Sequence, residues 1–323
     1  MSNRPLIVAT VTAPDTSGLV RERDRVRGAD LVELRLDAAA DPDVAAAVAG
    51  RRIPVVVTCR RADEGGWFAG DEAARLAVLE RASASGAEYV DVEWRADFAA
   101  VSRARHGRGV VLSHHDFSGV PADLADRVAS MAATEAEVIK VAVMAGSLRD
   151  NLVLLELGRR HQGRGLVLVA MGDLGLVSRV CAARFGSRWT FAGAGVAPGQ
   201  LTVETLVREF HCPRATTTTA VYGVAGRASL ASPVPAMHNA AFEAAGADAV
   251  CVPLASDDED DIAAFARGFG LAAVVPAGPP RPAEAELVHR VEREQQEWIG
   301  RIPDAQLLRD AAAWKLRQTA GTQ

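Results

Sequence analysis

A single lysine interrupts the apolar run Val138-Ile139-Lys140-Val141-Ala142-Val143. A lone amine inside a buried strand loses hydration, which disfavours its charged form and leaves a lone pair able to attack a carbonyl carbon. Neighbouring cations strengthen that effect. The plain structural alternative is a lysine whose tip reaches water or pairs with Glu33 or Glu93. The doublet His114-His115 offers a second reactive group. Successive strand residues face opposite sides, so one of the two imidazoles can enter a site beside the lysine and act as general acid and base. Arg35, Arg60 and Arg179 are candidates to clamp a carboxylate or phosphate. Glu33, Arg35 and Asp37 alternate along Glu33-Leu34-Arg35-Leu36-Asp37 and so point one way, while Glu64 stands just before Gly65-Gly66. These acids read as orienting ion-pair partners. Met171 reads as core or as a substrate wall. Asp116 is the acid next to the histidines and no His-x-x-x-His spacing exists, so no metal is expected.

Short β-branched runs recur through the first 212 residues: Leu6–Thr10, Ala29–Arg35, Pro54–Cys59, Tyr89–Glu93, Val110–His114, Val138–Val143, Leu166–Ala170 and Trp189–Ala192. Each gap is long enough for a crossover helix, and near-continuous apolar strands alternating with helices predict a parallel sheet covered by helices. Eight such units close into a (β/α)8 barrel, whose chemistry sits at the carboxyl ends of its strands. The polar residues named above fall there. A doubly wound sheet is the competing architecture, but it wants a Gly-rich loop after the first strand, where Val11-Thr12-Ala13-Pro14 stands.

Composition shifts at His211-Cys212-Pro213-Arg214 and the four threonines Thr216–Thr219, a linker or the start of a new strand. A small α/β module follows, with strands Ala220–Val224, Ala249–Pro253 and Ala272–Val275 and helices Ala236–Ala245 and Ile262–Phe269. The acidic run Asp257–Asp261 reads as the solvated, dipole-complementing start of the second helix. After Pro276–Pro282, helices are expected over Glu284–Ile299 and Ala305–Leu316. The expected organisation is a barrel over residues 1–212, an α/β module over 216–282 and a helical tail over 283–323.

The chain has 323 residues, 49% hydrophobic and 24% charged, with a net charge of −5, which excludes wholesale disorder and a broad nucleic-acid footprint. Aromatic residues are 5%, too few for base-stacking platforms. Cys59, Cys181, Cys212 and Cys251 are far apart, with no C-x-x-C, so neither a zinc knuckle nor a disulfide framework is readable. No apolar run approaches a membrane span, and the short apolar stretch near the N-terminus meets Pro14-Asp15 too soon for an export signal. A cytoplasmic protein with no membrane association is expected.

Taken in order, these segments resemble the type I 3-dehydroquinate dehydratases across residues 5 to 210. The resemblance rests on Glu33-Leu34-Arg35-Leu36-Asp37, Thr58-Cys59-Arg60 with Glu64-Gly65-Gly66, His115-Asp116-Phe117 and Ile139-Lys140-Val141-Ala142. It continues through Met171-Gly172, Ser178-Arg179, Phe185-Gly186-Ser187, Thr190-Phe191 and Ala197-Pro198-Gly199-Gln200. It implies that Lys140 forms a Schiff base with 3-dehydroquinate, that His115 rather than His114 is the general base, and that Glu64 orients it. It further implies that Glu33, Arg35, Arg60, Met171, Arg179 and Gln200 hold the substrate, with Arg179 on the carboxylate, that no cofactor is used, and that the protein is a homodimer. Val196 stands where the family usually has a serine, so a hydroxyl contact worth about 0.5–1.5 kcal/mol is expected to be missing.

Residues 220 to 281 resemble the substrate-binding half of shikimate dehydrogenase, through Val221-Tyr222-Gly223-Val224-Ala225-Gly226 and Pro235-Ala236-Met237-His238-Asn239-Ala240-Ala241-Phe242. The family's paired serines correspond to Ser232 and Val234, and its lysine to Arg281, which does not readily shuttle a proton. No Gly-rich dinucleotide loop follows in residues 282–323. The expected activity is therefore dehydration of 3-dehydroquinate with a non-catalytic, dehydrogenase-like appendage. A non-enzymatic sensor of shikimate-pathway intermediates and another class I Schiff-base lyase or aldolase are the competing readings.

Overall fold

The computed structural model describes residues 4–40, 42–97, 99–193, 195–278 and 283–320. Eight parallel strands, β1 (Leu6–Val11), β2 (Leu31–Arg35), β3 (Val55–Thr58), β4 (Tyr89–Glu93), β5 (Val110–Asp116), β6 (Val138–Met144), β7 (Gly165–Met171) and β8 (Trp189–Ala192), form one sheet in the order β7-β6-β5-β4-β3-β2-β1-β8. The β7–β8 seam is drawn together by the Arg188 amide, which donates to the Leu166 carbonyl at 2.7 Å, and by Ser187 Oγ, which accepts from the Leu168 amide at 3.0 Å. The result is a nearly closed barrel. Helices α1 (Thr16–Arg25), α2 (Val44–Val48), α3 (Glu72–Ala84), α4 (Ala99–Arg105), α5 (Leu124–Ala132), α6 (Asp150–Arg160) and α7 (Leu176–Val180) alternate with the strands. The sheet is as the sequence predicts. Some strand ends differ by up to two residues, and the longer β5 brings His115 onto the strand.

Strand alternation sorts the side chains. From β6, Ile139, Val141 and Val143 join the layer between sheet and helices, whereas Val138 and Ala142 join an interior cluster with Val8, Leu31, Val56, Val111, Val167, Trp189 and Phe191. Lys140 shares the parity of that inner set. The same two-residue step puts Thr10, Glu33, Thr58, Asp91, Ser113 and His115 inside. The barrel interior is thus apolar toward the amino ends of its strands and ionic toward their carboxyl ends.

After β8 the chain makes only a short π-helical piece, Thr205–Glu209, and a 3-10 turn before entering the appendage. There β9 (Ala220–Ala225), β10 (Ala249–Leu254) and β11 (Ala273–Pro276) form a parallel sheet in the order β10-β9-β11, with α8 (Val234–Ala245) and α9 (Glu259–Phe269), then α10 (Glu284–Ile299) and α11 (Ala305–Ala320). Val221, Val250, Val252 and Leu254 belong to the barrel's own apolar core, while Tyr222, Val224 and Cys251 on the opposite face pack with α8, α10 and α11. Each such buried side chain is worth about 1.5–3 kcal/mol, so the appendage is continuous with the barrel rather than tethered to it. Lys315 of α11 reinforces this through a buried ion pair with Glu209 at 2.9 Å.

Of the two readings of the threonine run, the structure has the entry to a new strand: Thr219 immediately precedes β9, Thr216 and Thr218 bond one another, and Thr219 Oγ1 donates to Asp248 at 2.6 Å. One expectation about the connecting segments needs revision. The acidic run is not wholly solvated. Asp258 caps α9, but Asp261 is 2% exposed, and its carboxylate accepts from the Leu148 and Arg149 amides at 2.8 and 3.1 Å. Those amides lead into α6, whose own N-cap has no side-chain partner, so the appendage supplies the missing acceptor.

Candidate active site

Lys140, His115, Glu64, Glu33, Arg35, Arg60, Met171, Arg179 and Gln200 all line one cavity at the carboxyl ends of the barrel strands, together with Thr10, Phe117, Phe191 and Val196. Nine residues chosen from sequence therefore converge on one place. Asp37 does not line it. Its carboxylate forms a two-pronged ion pair with Arg35 at 2.7 and 2.9 Å, and Arg35 also lies over the Trp67 ring at 4.8 Å.

Of the two readings of Lys140, the structure favours the ion-paired one, with Glu33 and, in place of Glu93, Asp91. The Lys140 Nζ is 3.0 Å from Asp91 and 3.5 Å from Glu33, and 4.1 Å from the centre of the Phe191 ring. The reason is a lattice of buried charges. Arg60 bridges Asp91 and Glu93, each at 2.9 Å, and donates to Ser113 Oγ at 2.7 Å, while Arg75 meets Glu93 from behind at 2.7 Å. Thr10 and Thr58 hydroxyls donate to the two oxygens of Glu33, each at 2.8 Å. Burial pushes the carboxyls of Asp91 and Glu33 up, but it is outweighed: Arg60 and Lys140 hold Asp91 below its ordinary range, and Lys140 and Arg35 do the same for Glu33. Both therefore stay ionised beside the amine and hold it by charge and hydrogen bonding.

The two histidines separate as strand parity requires. His114 faces outward, its Nε2 accepting from Arg127 at 3.0 Å. His115 faces the cavity, its Nδ1 lying 3.0 Å from Glu64 Oε2, which also accepts the His115 amide at 3.0 Å. Burial, then Arg60 and Lys140, push the imidazole well below its ordinary value, so it is neutral, with one ring nitrogen unprotonated. Burial pushes Glu64 up to about 7. The turn that delivers Glu64 depends on its glycines. Gly65 has φ +79, and a Cβ on Gly66 would lie 2.0 Å from the Arg60 carbonyl oxygen.

Arg179 is different again. It is 2% exposed, donates to the Pro198 carbonyl at 3.0 Å, and has no carboxylate partner among the described residues. Burial alone pushes it down to about 10. A buried guanidinium aimed at a cavity without a counter-charge is a ready seat for an anionic group. Gln200 closes the remaining side, donating to Thr10 Oγ1 at 3.2 Å and accepting the Ala197 amide at 3.1 Å. Among the described residues no group of three or more His, Cys, Asp or Glu is arranged to hold a metal, and the four cysteines are buried thiols.

Asp91, Ser113, Thr10 and Phe191 were not singled out as site residues from sequence. Asp91 carries the same signal as Glu33, an acid at an inward position of an apolar strand. In the appendage, Ser232 Oγ accepts the Val234 amide at 3.3 Å and Val234 is fully buried, so the position of the second serine is packed with hydrocarbon. Arg281 lies outside the described residues.

The family described as Type I 3-dehydroquinase matches residues 7–215. A 3-dehydroquinate dehydratase from Dehalococcoides mccartyi is 33% identical over 65% of this chain and 96% of its own length. The bifunctional 3-dehydroquinate dehydratase/shikimate dehydrogenase of Arabidopsis thaliana chloroplasts is 32% identical over 80% of this chain, which spans 45% of that protein. A solved dehydroquinate dehydratase and shikimate dehydrogenase structure from S. pombe shares the fold over 89% of this chain and 58% of its own, with a TM-score of 0.55 and 24% identity.

Proposed function

The chain belongs to the type I 3-dehydroquinase family, and from that premise we propose that it dehydrates 3-dehydroquinate to 3-dehydroshikimate through a Schiff base on Lys140. The observation that carries the reading is the meeting, around one cavity, of an inward lysine, a neutral histidine held by a carboxylate, and a buried arginine with no counter-charge among the described residues.

The Lys140 amine adds to the ring ketone and water leaves, giving an iminium. Asp91 and Glu33 hold the nitrogen in place, and the two protons it loses depart with the ketone oxygen as that water. His115, with Nδ1 turned to Glu64, presents Nε2 as the base that removes a proton from the carbon next to the iminium. The electron pair moves into the iminium to form an enamine. The enamine expels the hydroxyl one carbon further on, and His115 returns its proton so that water departs. Hydrolysis of the remaining iminium frees the enone and restores the amine. Protonated nitrogen is the electron sink throughout, so neither a metal nor a nucleotide is required.

Arg179 pairs with the substrate carboxylate, while Arg35, Arg60 and Gln200 bound the polar rim and Met171 the apolar wall. Val196 lines the cavity where the family has a serine, and the missing hydroxyl weakens binding by about 0.5–1.5 kcal/mol without touching the chemistry. The same reading makes the protein a cytoplasmic homodimer. No described helix is long and apolar enough to cross a membrane. Mixing the full chain with 3-dehydroquinate and following near-ultraviolet absorbance of the enone tests the reading. Turnover that disappears in Lys140→Ala supports it; a silent native chain, or an active variant, overturns it.

A further inference from the structure

The dehydration steps leave residues 216–320 without a task, yet their sheet packs directly against the helix that carries Arg179. That helix, α7, has five residues, too few to hold its shape in isolation, and all five are buried. One side is tied to β7, where Ser178 Oγ accepts the Ala170 amide at 2.9 Å and donates to the Gly175 carbonyl at 2.8 Å. The other side meets β10 of the appendage, and Leu176, Val177 and Val180 share one apolar core with Val250, Val252 and Leu254. The Cys212 thiol, on the segment leading into the appendage, contacts the Val180 carbonyl at 3.5 Å. Arg179 itself has little to fix it: its Nη2 holds one carbonyl, and its buried Nε has no partner among the described residues.

We propose that the barrel-facing side of the appendage sheet is a positioning element for Arg179, setting where the guanidinium meets the substrate carboxylate. The proposal rests on the dehydratase reading and adds to it that Val252 and Leu254, outside the barrel, govern substrate binding through α7. They are positioning residues, not catalytic ones.

The sheet supplies its own control. Val252 and Val224 are the same residue type on adjacent paired strands, both fully buried, but Val252 faces the barrel and Val224 faces α8, α10 and α11. In the full chain, Val252→Ala is expected to raise the KM for 3-dehydroquinate roughly three- to tenfold with kcat within about twofold. Val224→Ala is expected to leave KM within about twofold while lowering Tm comparably. A merely structural sheet would move Tm in both variants and KM in neither. Leu254→Val, a smaller deletion on the same face, replaces Val252→Ala if that variant does not fold. An unchanged KM in the barrel-facing variant, or an equal rise in both, overturns the proposal while native turnover stands. Absence of native turnover removes the dehydratase reading and the proposal together.

Discussion

Replacing Arg179 by methionine separates a binding role from a structural one by giving stability and activity opposite signs. The guanidinium is 2% exposed with no carboxylate partner among the described residues, and burial pushes it down to about 10, so keeping it charged in the folded protein costs about 3 kcal/mol. Arg179→Met keeps most of the volume and removes that cost. It also strips the Pro198 carbonyl of its donor, a loss of about 1 kcal/mol. The balance is a gain of about 1–2 kcal/mol and a Tm higher by a few degrees. The substrate carboxylate meanwhile loses a charge-assisted contact worth about 1.5–3 kcal/mol, so kcat/KM falls roughly 10- to 150-fold, mainly through KM. Thermal unfolding and steady-state kinetics on the same preparation measure both. A variant that is clearly less stable and binds substrate as well as the native chain would show that Arg179 is a structural residue and refute the reasoning.

Further outcomes follow from the same geometry. The Glu64–His115 pair titrates as a unit: below about pH 7 a proton on Glu64 turns the imidazole to the tautomer whose Nε2 is no longer basic, so kcat/KM falls with acid. Glu64→Gln lowers the maximum and moves this acid limb down, because the imidazole alone titrates well below its ordinary value; a limb unchanged in the variant contradicts the pairing. Asp261→Ala strands two backbone amides at the start of α6 and costs about 1.5–3 kcal/mol, read as a lower urea midpoint; an unchanged midpoint would show that the cap contributes nothing. Shikimate with either nicotinamide nucleotide gives no reduced cofactor, and a robust rate would overturn the reading of residues 220–281 as non-catalytic.

The barrel and most of the lining of its candidate site were legible because both follow from a period of two. Once Val138–Val143 is read as a strand, Lys140 must share a face with Ala142, and strand parity admits only one of His114 and His115. Arg35, Arg60 and Glu64 follow from their positions at strand ends. Charge pairing across strands was legible only in part. Glu33 is a partner the sequence offers for Lys140, but Asp91, 49 residues away in sequence and 3.0 Å away in space, is not announced by anything local. Asp261 was misread for a related reason: in an acidic run, only the tertiary packing of α9 distinguishes the residue that turns inward from those that stay in water. The appendage's role was hidden too, since its apolar alternation is the same whether one face of the sheet or both are covered.

The central claim is a covalent bond between the Lys140 nitrogen and the ring carbon of the substrate. Borohydride added during turnover of 3-dehydroquinate reduces an iminium to a stable secondary amine, which intact-mass and peptide analysis then place on one residue. The account predicts a single adduct, on the peptide containing Lys140, absent without substrate and absent in Lys140→Ala. Turnover without any adduct, or an adduct on another lysine, would contradict it.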